Sequence, residues 1–458
     1  MIGRSLLAEC VLALALACAP ALAQEAQVPP GGRAGEPRAV RTAFVPLGGF
    51  GQGLLWAPPE GSEPPRAAVV LVHPHATSLG NPLCGGLAAR GFLVLCADPP
   101  NAARSFRTGG YDAQALTVGA AIARARAEPG VRSVWLAGHG EGGALAAFYQ
   151  NVANNGPAAC QGPEKAAPCD ASRLAGLPPA AGLVLVDPEL GQAFATLSGL
   201  DPAIAVESAP TQRYPGLDLY DPRNGFDPGQ NAGRYGAAFR KAWFAAQADR
   251  SARLAAEARK LVSAVAARER GAFADDMPMF VAGALITPIW QVDARLLART
   301  KRAHRLLAAD GSTASRVLAT LAPPMGSPRE ATNFRAAAAF SARGFLAGHT
   351  LETTPDYDVT ADDVLGVVWP SSATSTIANV AGVTEPLLIM ANTGHFGVRP
   401  AEMILDAARS QDRELVGVEG ATHSLTPCLA CSGGSGRRYG DTLARALDYV
   451  ADWLRPRS

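Results

Sequence analysis

The sequence carries almost no net charge: its 458 residues include 41 basic and 40 acidic side chains, which gives a formal net charge of +1. This balance gives no electrostatic reason to expect nucleic acid or an anionic membrane surface as a partner. Aromatic residues make up only 6% of the chain. Glycine and proline are plentiful but not periodic, which excludes fibrous classes, and the 48% hydrophobic content predicts a large buried core.

Beyond the N-terminal segment the sequence has no long apolar run. In that segment, one basic residue precedes an apolar stretch that ends in APALAQ. Ala21 and Ala23 give the small-x-small pattern of a cleavage site, so we predict a signal peptide over residues 1–23. The Pro/Gly-rich residues 24–40 are predicted to be a disordered linker. A lipoprotein signal cleaved before Cys18 is the alternative. We expect a periplasmic or secreted protein that does not contact the membrane once the signal is removed.

Six cysteines would remain after removal of the signal, and an even number in an oxidising compartment favours disulfides. They are Cys84, Cys96, Cys160, Cys169, Cys428 and Cys431. The middle pair brackets a short polar loop, so a Cys160–Cys169 disulfide is predicted. The last pair forms a CxxC without the second CxxC that a zinc ribbon needs. The first pair fits small buried side chains as well as it fits a disulfide.

Short apolar segments predict buried β-strands that alternate with helical segments. They are RAAVVLVHPH, FLVLCADPP, VRSVWLAG, AAGLVLVDPELG, EPLLIMANTGH and RELVGVEGATH. This alternation predicts an α/β fold with a mostly parallel central sheet and helices on both faces.

The pattern changes between residues 192 and 380, where a Pro/Asp-rich stretch precedes a long Ala/Arg segment of helical spacing. An insertion of this length between two strands of one sheet is most simply a largely helical cap domain. The predicted organisation is therefore a first core part over residues 41–191, a cap over 192–380 and a second core part over 381–458.

A glycine-rich turn stands out in WLAGHGEGGALAAFY, residues 135–149. The segment is typical of a buried strand, a tight turn and the beginning of a helix. Many hydrolases place a catalytic serine at the centre of such a turn, as G-x-S-x-G. Here that position is Gly140, which has no side chain.

The chain resembles the α/β-hydrolase superfamily, and in particular bacterial esterase-like proteins with a large helical cap. The resemblance runs from about residue 41 to the C-terminus and rests on LVHPH with NPLCGGLAARGFLVLCA, AGHGEGGALAAFYQ, ANTGH and ELVGVEGATH. It implies an α/β-hydrolase fold, carboxylic-ester hydrolysis by a serine, an acid and a histidine without a cofactor, and a small ester-like or apolar ligand.

The resemblance also implies a role for each matching position. Gly140 lies at the nucleophile position, which is therefore vacant, and His423 matches the catalytic histidine. His395 lies where the family has its acid. Asp187, after the fourth predicted strand, is either a relocated acid or an ordinary turn residue that ends the strand.

The two halves of an oxyanion site are also assigned by this resemblance. The loop with His73 and His75 matches one half, and the backbone N–H of Glu141 matches the other. The side chain of Glu141 is expected to point into the following helix and supply charge at its N-terminus.

Five of the seven histidines follow predicted core strands, at the edge where such sheets bind ligands. They are His73, His75, His139, His395 and His423. One alternative is therefore a transition metal bound by His139, His395 and His423, with Asp187 or Glu189 as an oxygen ligand. The other is that these histidines have the family's ordinary roles, with only His395 unexpected.

These observations predict an exported α/β-hydrolase-fold protein with a degenerate triad, weakly active or non-catalytic, that binds a small ester-like or apolar ligand. One alternative is an active esterase in which His423 activates water and Asp187 orients His423. The other is a metal-dependent activity at the histidines.

Overall fold

The computed structural model describes residues 39–48, 51–100, 106–107, 110–326 and 337–457. The predicted signal peptide and nearly all of the predicted linker lie outside the described residues. From residue 39 onward the chain forms one compact unit. Among the described helices, none has the length and apolar character required to span a bilayer.

A ten-stranded sheet forms the centre of the molecule. Numbered in chain order and given in spatial order, its strands are β1 (Arg41–Leu47), β2 (Gly51–Ala57), β4 (Leu93–Asp98), β3 (Ala67–Val72), β6 (Ser133–His139), β7 (Leu183–Val186), β16 (Leu387–Asn392), β17 (Arg413–Val418), β11 (Arg299–Leu307) and β12 (Thr313–Ala319). Strand β2 is antiparallel to β1 and β4, and β12 is antiparallel to β11. The remaining pairings are parallel.

The smaller sheets contain the other strands. They are β5 (Phe106–Arg107), β10 (Pro278–Val281) and β13 (Ala338–Ser341) in one sheet, β14 (Glu352–Val359) with β15 (Val364–Val368), and β8 (Phe226–Asp227) with β9 (Ala232–Gly233). The α-helices are α1 (Pro82–Ala88), α2 (Asp112–Arg126), α3 (Gly142–Asn155), α4 (Ala171–Leu174), α5 (Gln192–Gly199), α6 (Ala237–Ala266), α7 (Ile289–Val292), α8 (Ala342–Gly344), α9 (Thr376–Val380), α10 (Val398–Ala407) and α11 (Thr442–Leu454). A π-helical turn covers Phe345–His349.

Helices cover both faces of the sheet because the central strands are apolar on both sides. The side chains of β3 are buried along its whole length. Alternate residues of β3 face helices α2 and α3 in one core layer and helices α1 and α11 in the other. Helix α11 begins at the capping side chain of Asp441 and buries a stripe of helical spacing; its Trp453 packs edge-on against Trp135 of β6 at 5.4 Å.

The mostly parallel sheet, the antiparallel β2, the helices on both faces and the tight turn between β6 and α3 form an α/β-hydrolase fold, as predicted. All six strands expected from apolar segments are present at the centre of the sheet.

The inserted segment differs from the continuous cap expected over residues 192–380. Within it, β11 pairs in parallel with β17 and extends the central sheet, and β12 follows as the edge strand. Most residues of β11 are exposed and its buried residues are Thr300, Leu306 and Leu307, so RTKRAHRLL lacks the apolar run that marks the central strands. The 30-residue helix α6 and the β10–β13 pair remain outside the sheet, as a cap would.

Candidate active site

The turn between β6 and α3 has the geometry of a nucleophile elbow. Gly140 adopts a left-handed conformation with φ of +56°. The neighbouring glycines are required by close packing, because a Cβ on Gly138 would lie 2.2 Å from the carbonyl oxygen of Gly142, and one on Gly142 would lie 2.2 Å from that of Val72. The sequence therefore forms the elbow even though residue 140 supplies no nucleophile.

His423 and Asp187 form a hydrogen-bonded pair beside this turn. The His423 Nδ1 lies 2.7 Å from Oδ2 of Asp187, which is buried at the end of β7. Burial lowers the pKa of His423, but the hydrogen bond and the charge of Asp187 outweigh burial and raise that pKa above its ordinary value. A carboxylate that orients a histidine is thus present, and Asp187 supplies it.

His395 contacts the same carboxylate. Its Nδ1 lies 2.7 Å from Oδ2 of Asp187, without the angular geometry of a hydrogen bond, and its ring centre lies 4.8 Å from that of His423. Burial would raise the pKa of Asp187, but the charges of His395 and His423 and the close polar contacts that both make with its carboxylate hold it well below its usual range. One ionised carboxylate therefore contacts two imidazoles. One of the two belongs to His395, at the position that the resemblance assigns to the acid.

The ring of His423 takes up the space beside the vacant nucleophile position. A Cβ added to Gly140 would lie 2.8 Å from both Cε1 and Nε2 of His423. The same Cβ would lie 3.9 Å from Oε1 of Glu189, whose backbone N–H donates to the Gly140 carbonyl at 3.3 Å. An imidazole and a carboxyl group therefore converge on the elbow.

Glu189 is partly buried, two residues beyond Asp187. Burial and then the nearby charge of Glu141 raise its pKa to about 7, against the opposing influence of His423 and His395. Glu141 differs from expectation, because its Oε1 lies 3.8 Å from Nε2 of His75 instead of pointing only into α3.

The two histidines of the β3 loop have different partners. His73 Nδ1 accepts the backbone N–H groups of His75 at 3.1 Å and Ala76 at 2.8 Å, which fixes the loop. Burial and the neighbouring histidines lower the pKa of His73 to about 3, so it is neutral near pH 7. His75 Nε2 lies 2.5 Å from Oε1 of Gln192, the first residue of α5, and so joins the loop to the cap.

His139 packs against His423 and contacts its backbone. Its Nε2 lies 2.7 Å from the backbone oxygen of His423, and its Nδ1 lies 3.1 Å from Nδ2 of Asn81, the residue that caps α1. The two imidazole rings stack at 4.7 Å. Burial and the charge of His423 lower the pKa of His139 to about 4. With both nitrogens engaged, His139 positions the histidine loop and has no free atom for a metal.

Among the described residues, the side chains that could together hold a metal ion are Asp187, His395 and His423. Their ligand atoms all lie within 4.8 Å of one another. The imidazole nitrogens of His395 and His423 both lie 2.7 Å from the same carboxylate oxygen, and the His423 contact is a hydrogen bond. Two ligands of a tetrahedral zinc ion, each about 2.0–2.1 Å from it, would lie roughly 3.3 Å apart. The contacts therefore favour an acid–base cluster over a metal centre.

A cavity of about 270 Å³ lies next to this cluster, between the strand ends and the inserted segment. Its walls are mainly apolar and include Phe194 and Trp290, whose rings stack at 5.5 Å. Its polar end is formed by Asp187, Glu189 and His395. The shape and lining suit a small apolar molecule with one polar group.

Three participants in the site carry little sequence signal. Gln192 is fully buried, and its Nε2 lies 2.8 Å from Nε2 of His349, whose Nδ1 lies 2.8 Å from the hydroxyl of Thr196. His349 lies in the π-helical turn, far along the chain from any predicted core strand. The turn sequence DPELG contains Glu189, but only the adjacency of β6 and β7 brings its carboxyl to Gly140.

No protein-family model and no curated protein matches the chain. Solved structures with similar chains include a hypothetical protein from Pseudomonas aeruginosa, at 13% identity and a TM-score of 0.42 over 92% of this chain and 94% of that one. Brefeldin A esterase, described as a bacterial homologue of human hormone sensitive lipase, matches at 11% identity and a TM-score of 0.39 over 93% and 80%. A soluble variant of monoglyceride lipase from Saccharomyces cerevisiae matches at 12% identity and a TM-score of 0.39 over 92% and 96%. At these values the fold assignment rests on the strand order of this chain.

Proposed function

We propose that this protein binds a small ester-like or apolar ligand in the cavity beneath its cap and does not use covalent serine catalysis. The observation that carries the proposal is the elbow itself, where Gly140 has no side chain and the ring of His423 lies only 2.8 Å from the point where one would begin. The elbow offers no nucleophile, whereas the neighbouring apolar cavity and its polar end are intact. Binding therefore needs no residue that the chain lacks.

Slow hydrolysis by water is the second candidate, favoured by the hydrogen bond between His423 and Asp187. A histidine oriented by a carboxylate can take a proton from water that attacks an ester carbonyl. Loss of the nucleophile costs roughly 10⁶ in kcat in a comparable serine triad, so we expect at most weak turnover.

We also propose that the protein is exported from the cytoplasm. All six cysteines beyond the predicted signal peptide lie in disulfides, Cys84–Cys96, Cys160–Cys169 and Cys428–Cys431. Disulfides persist in oxidising compartments, which supports a periplasmic or secreted location together with the N-terminal sequence pattern.

Calorimetric titration with a panel of neutral alkyl and aryl esters tests the binding function. Ala195→Phe fills the cavity from α5, and Ala256→Phe places the same side chain on the exposed face of α6 as a matched control. We expect the wild type and Ala256→Phe to bind the same esters and Ala195→Phe to lose at least about tenfold in affinity, since contact with the apolar walls provides the binding free energy. Binding that is equal in all three proteins, or absent from the wild type, would contradict the proposal.

A further inference from the structure

The polar end of the cavity contains a carboxyl group in an unusual position. Glu189 lines the cavity, and its Oε1 lies 3.9 Å from the point where a side chain on Gly140 would begin. Glu189 lines the cavity whereas Gly140 does not, so a ligand in the cavity lies next to Glu189.

The Glu189 carboxyl is not used by the fold. Its backbone is fixed, since the N–H donates to Gly140 and the carbonyl accepts the Thr376 hydroxyl at 2.7 Å. Within the described part of the chain, however, no side-chain or backbone group hydrogen-bonds to the carboxyl itself. The carboxyl lines the cavity without such a partner, so it is available to a ligand that occupies the cavity.

The surroundings of Glu189 favour its neutral form. Glu141 and Asp187 place two further carboxylates near it, and its partial burial also disfavours the charged form. His423 and His395 are the opposing groups, and both already face the ionised Asp187. A carboxylic acid in this setting has a proton to donate, whereas an ionised carboxylate accepts only.

We propose that Glu189, as a neutral carboxylic acid, donates the hydrogen bond that holds the carbonyl oxygen of an uncharged ester or ketone in this cavity. The inference rests on the proposed ligand-binding function and names its ligand class. Carboxylate anions are disfavoured, because Glu141 and Asp187 already carry negative charge near Glu189. The imidazoles that could offset a further negative charge, His395 and His423, already face Asp187. Binding weakens as Glu189 ionises, since the donor proton is then lost.

The test uses alkyl phenyl ketones from acetophenone to hexanophenone, which present a carbonyl and cannot be hydrolysed, with benzoate as the anionic counterpart. Dissociation constants are measured at pH 5.5 and pH 8. With ionisation near pH 7, we expect the tightest ketone to bind the wild type about tenfold more weakly at pH 8, and benzoate to bind at neither pH.

Two variants separate Glu189 from its neighbours. Glu189→Gln retains a neutral N–H donor, so ketone binding persists and becomes equal at the two pH values. Glu189→Leu removes the donor, so binding is weak at both. Glu141, Asp187, His395 and His423 remain in both variants, and a pH dependence that they cause would persist in Glu189→Gln.

The outcomes distinguish this inference from the function on which it rests. Persistence of the pH dependence in Glu189→Gln, tighter ketone binding at pH 8, or binding of benzoate would overturn the role of Glu189 while leaving a ligand-binding cavity. Binding of esters but of no ketone would overturn it in the same way. If neither esters nor ketones bind the wild type, the proposed function itself fails.

Discussion

The ring of His423 lies against Gly140, such that a Cβ at position 140 would be 2.8 Å from both Cε1 and Nε2. Asp187 fixes the other side of that ring through Nδ1 at 2.7 Å. A side chain at position 140 would therefore require the ring of His423 to shift by a few tenths of an ångström or more.

Substitution of Gly140 should consequently destabilise the protein. Both Gly140→Ala and Gly140→Ser place a Cβ on a backbone with φ of +56° and displace His423, so we expect each to lower the free energy of unfolding by about 1–3 kcal/mol. Urea denaturation measures this. Gly216→Ala is the control, since no atom lies within 4 Å of its added Cβ and its φ is ordinary. A Gly140→Ser protein as stable as the wild type would contradict the steric account.

The pH dependence of stability should report Glu189. Its folded pKa is about 7, above its ordinary value of 4.5. A raised folded pKa means that the contribution of the group to stability is fully present below pH 4.5 and is lost as the pH rises through 7. Glu189→Gln stays neutral, so we expect it to be more stable than the wild type at pH 8 by about 2 kcal/mol and equal to it at pH 4.

Urea denaturation at the two pH values checks this prediction. Glu269→Gln, at an exposed position, controls for the change in net charge. If Glu189→Gln were less stable than the wild type at pH 8, the carboxyl would be ionised and stabilised there, contrary to the account.

The Cys84–Cys96 disulfide should contribute measurably to stability. It joins α1 to β4, whose Cα atoms lie 6.3 Å apart at these positions, and closes a loop of 12 residues in the unfolded chain. We expect the Cys84→Ser/Cys96→Ser double variant to unfold with a free energy about 2–3 kcal/mol lower than the wild type. Mass spectrometry of the denatured protein without residues 1–23 should detect no free cysteine after thiol alkylation; alkylation at Cys84 or Cys96 would contradict the pairing.

The elbow and the fold were predictable because their signals are local. The glycines of GHGEGG specify the turn, and the apolar runs specify the central strands. Strand β11 escaped prediction because polar, mostly exposed residues interrupt its sequence. The disulfide between Cys84 and Cys96 was undecidable from sequence, since both residues also suit a buried core.

The site itself depends on which strands are neighbours. Strand β7 lies between β6 and β16, so Asp187 and Glu189 reach the elbow on one side and His395 on the other. The sequence proposes Asp187 and His423 as partners, but it cannot show that His395 shares the carboxylate. His349 joins the network through Gln192 from a turn without a recognisable pattern.

The central claim is that the elbow carries no activated serine. Intact-mass spectrometry of the wild-type protein after incubation with a fluorophosphonate tests it most directly, with a serine esterase in the same tube as a positive control. We expect complete labelling of the esterase and no mass increase in this protein, because Gly140 supplies no hydroxyl beside His423. A stoichiometric adduct mapped to any serine would contradict the account.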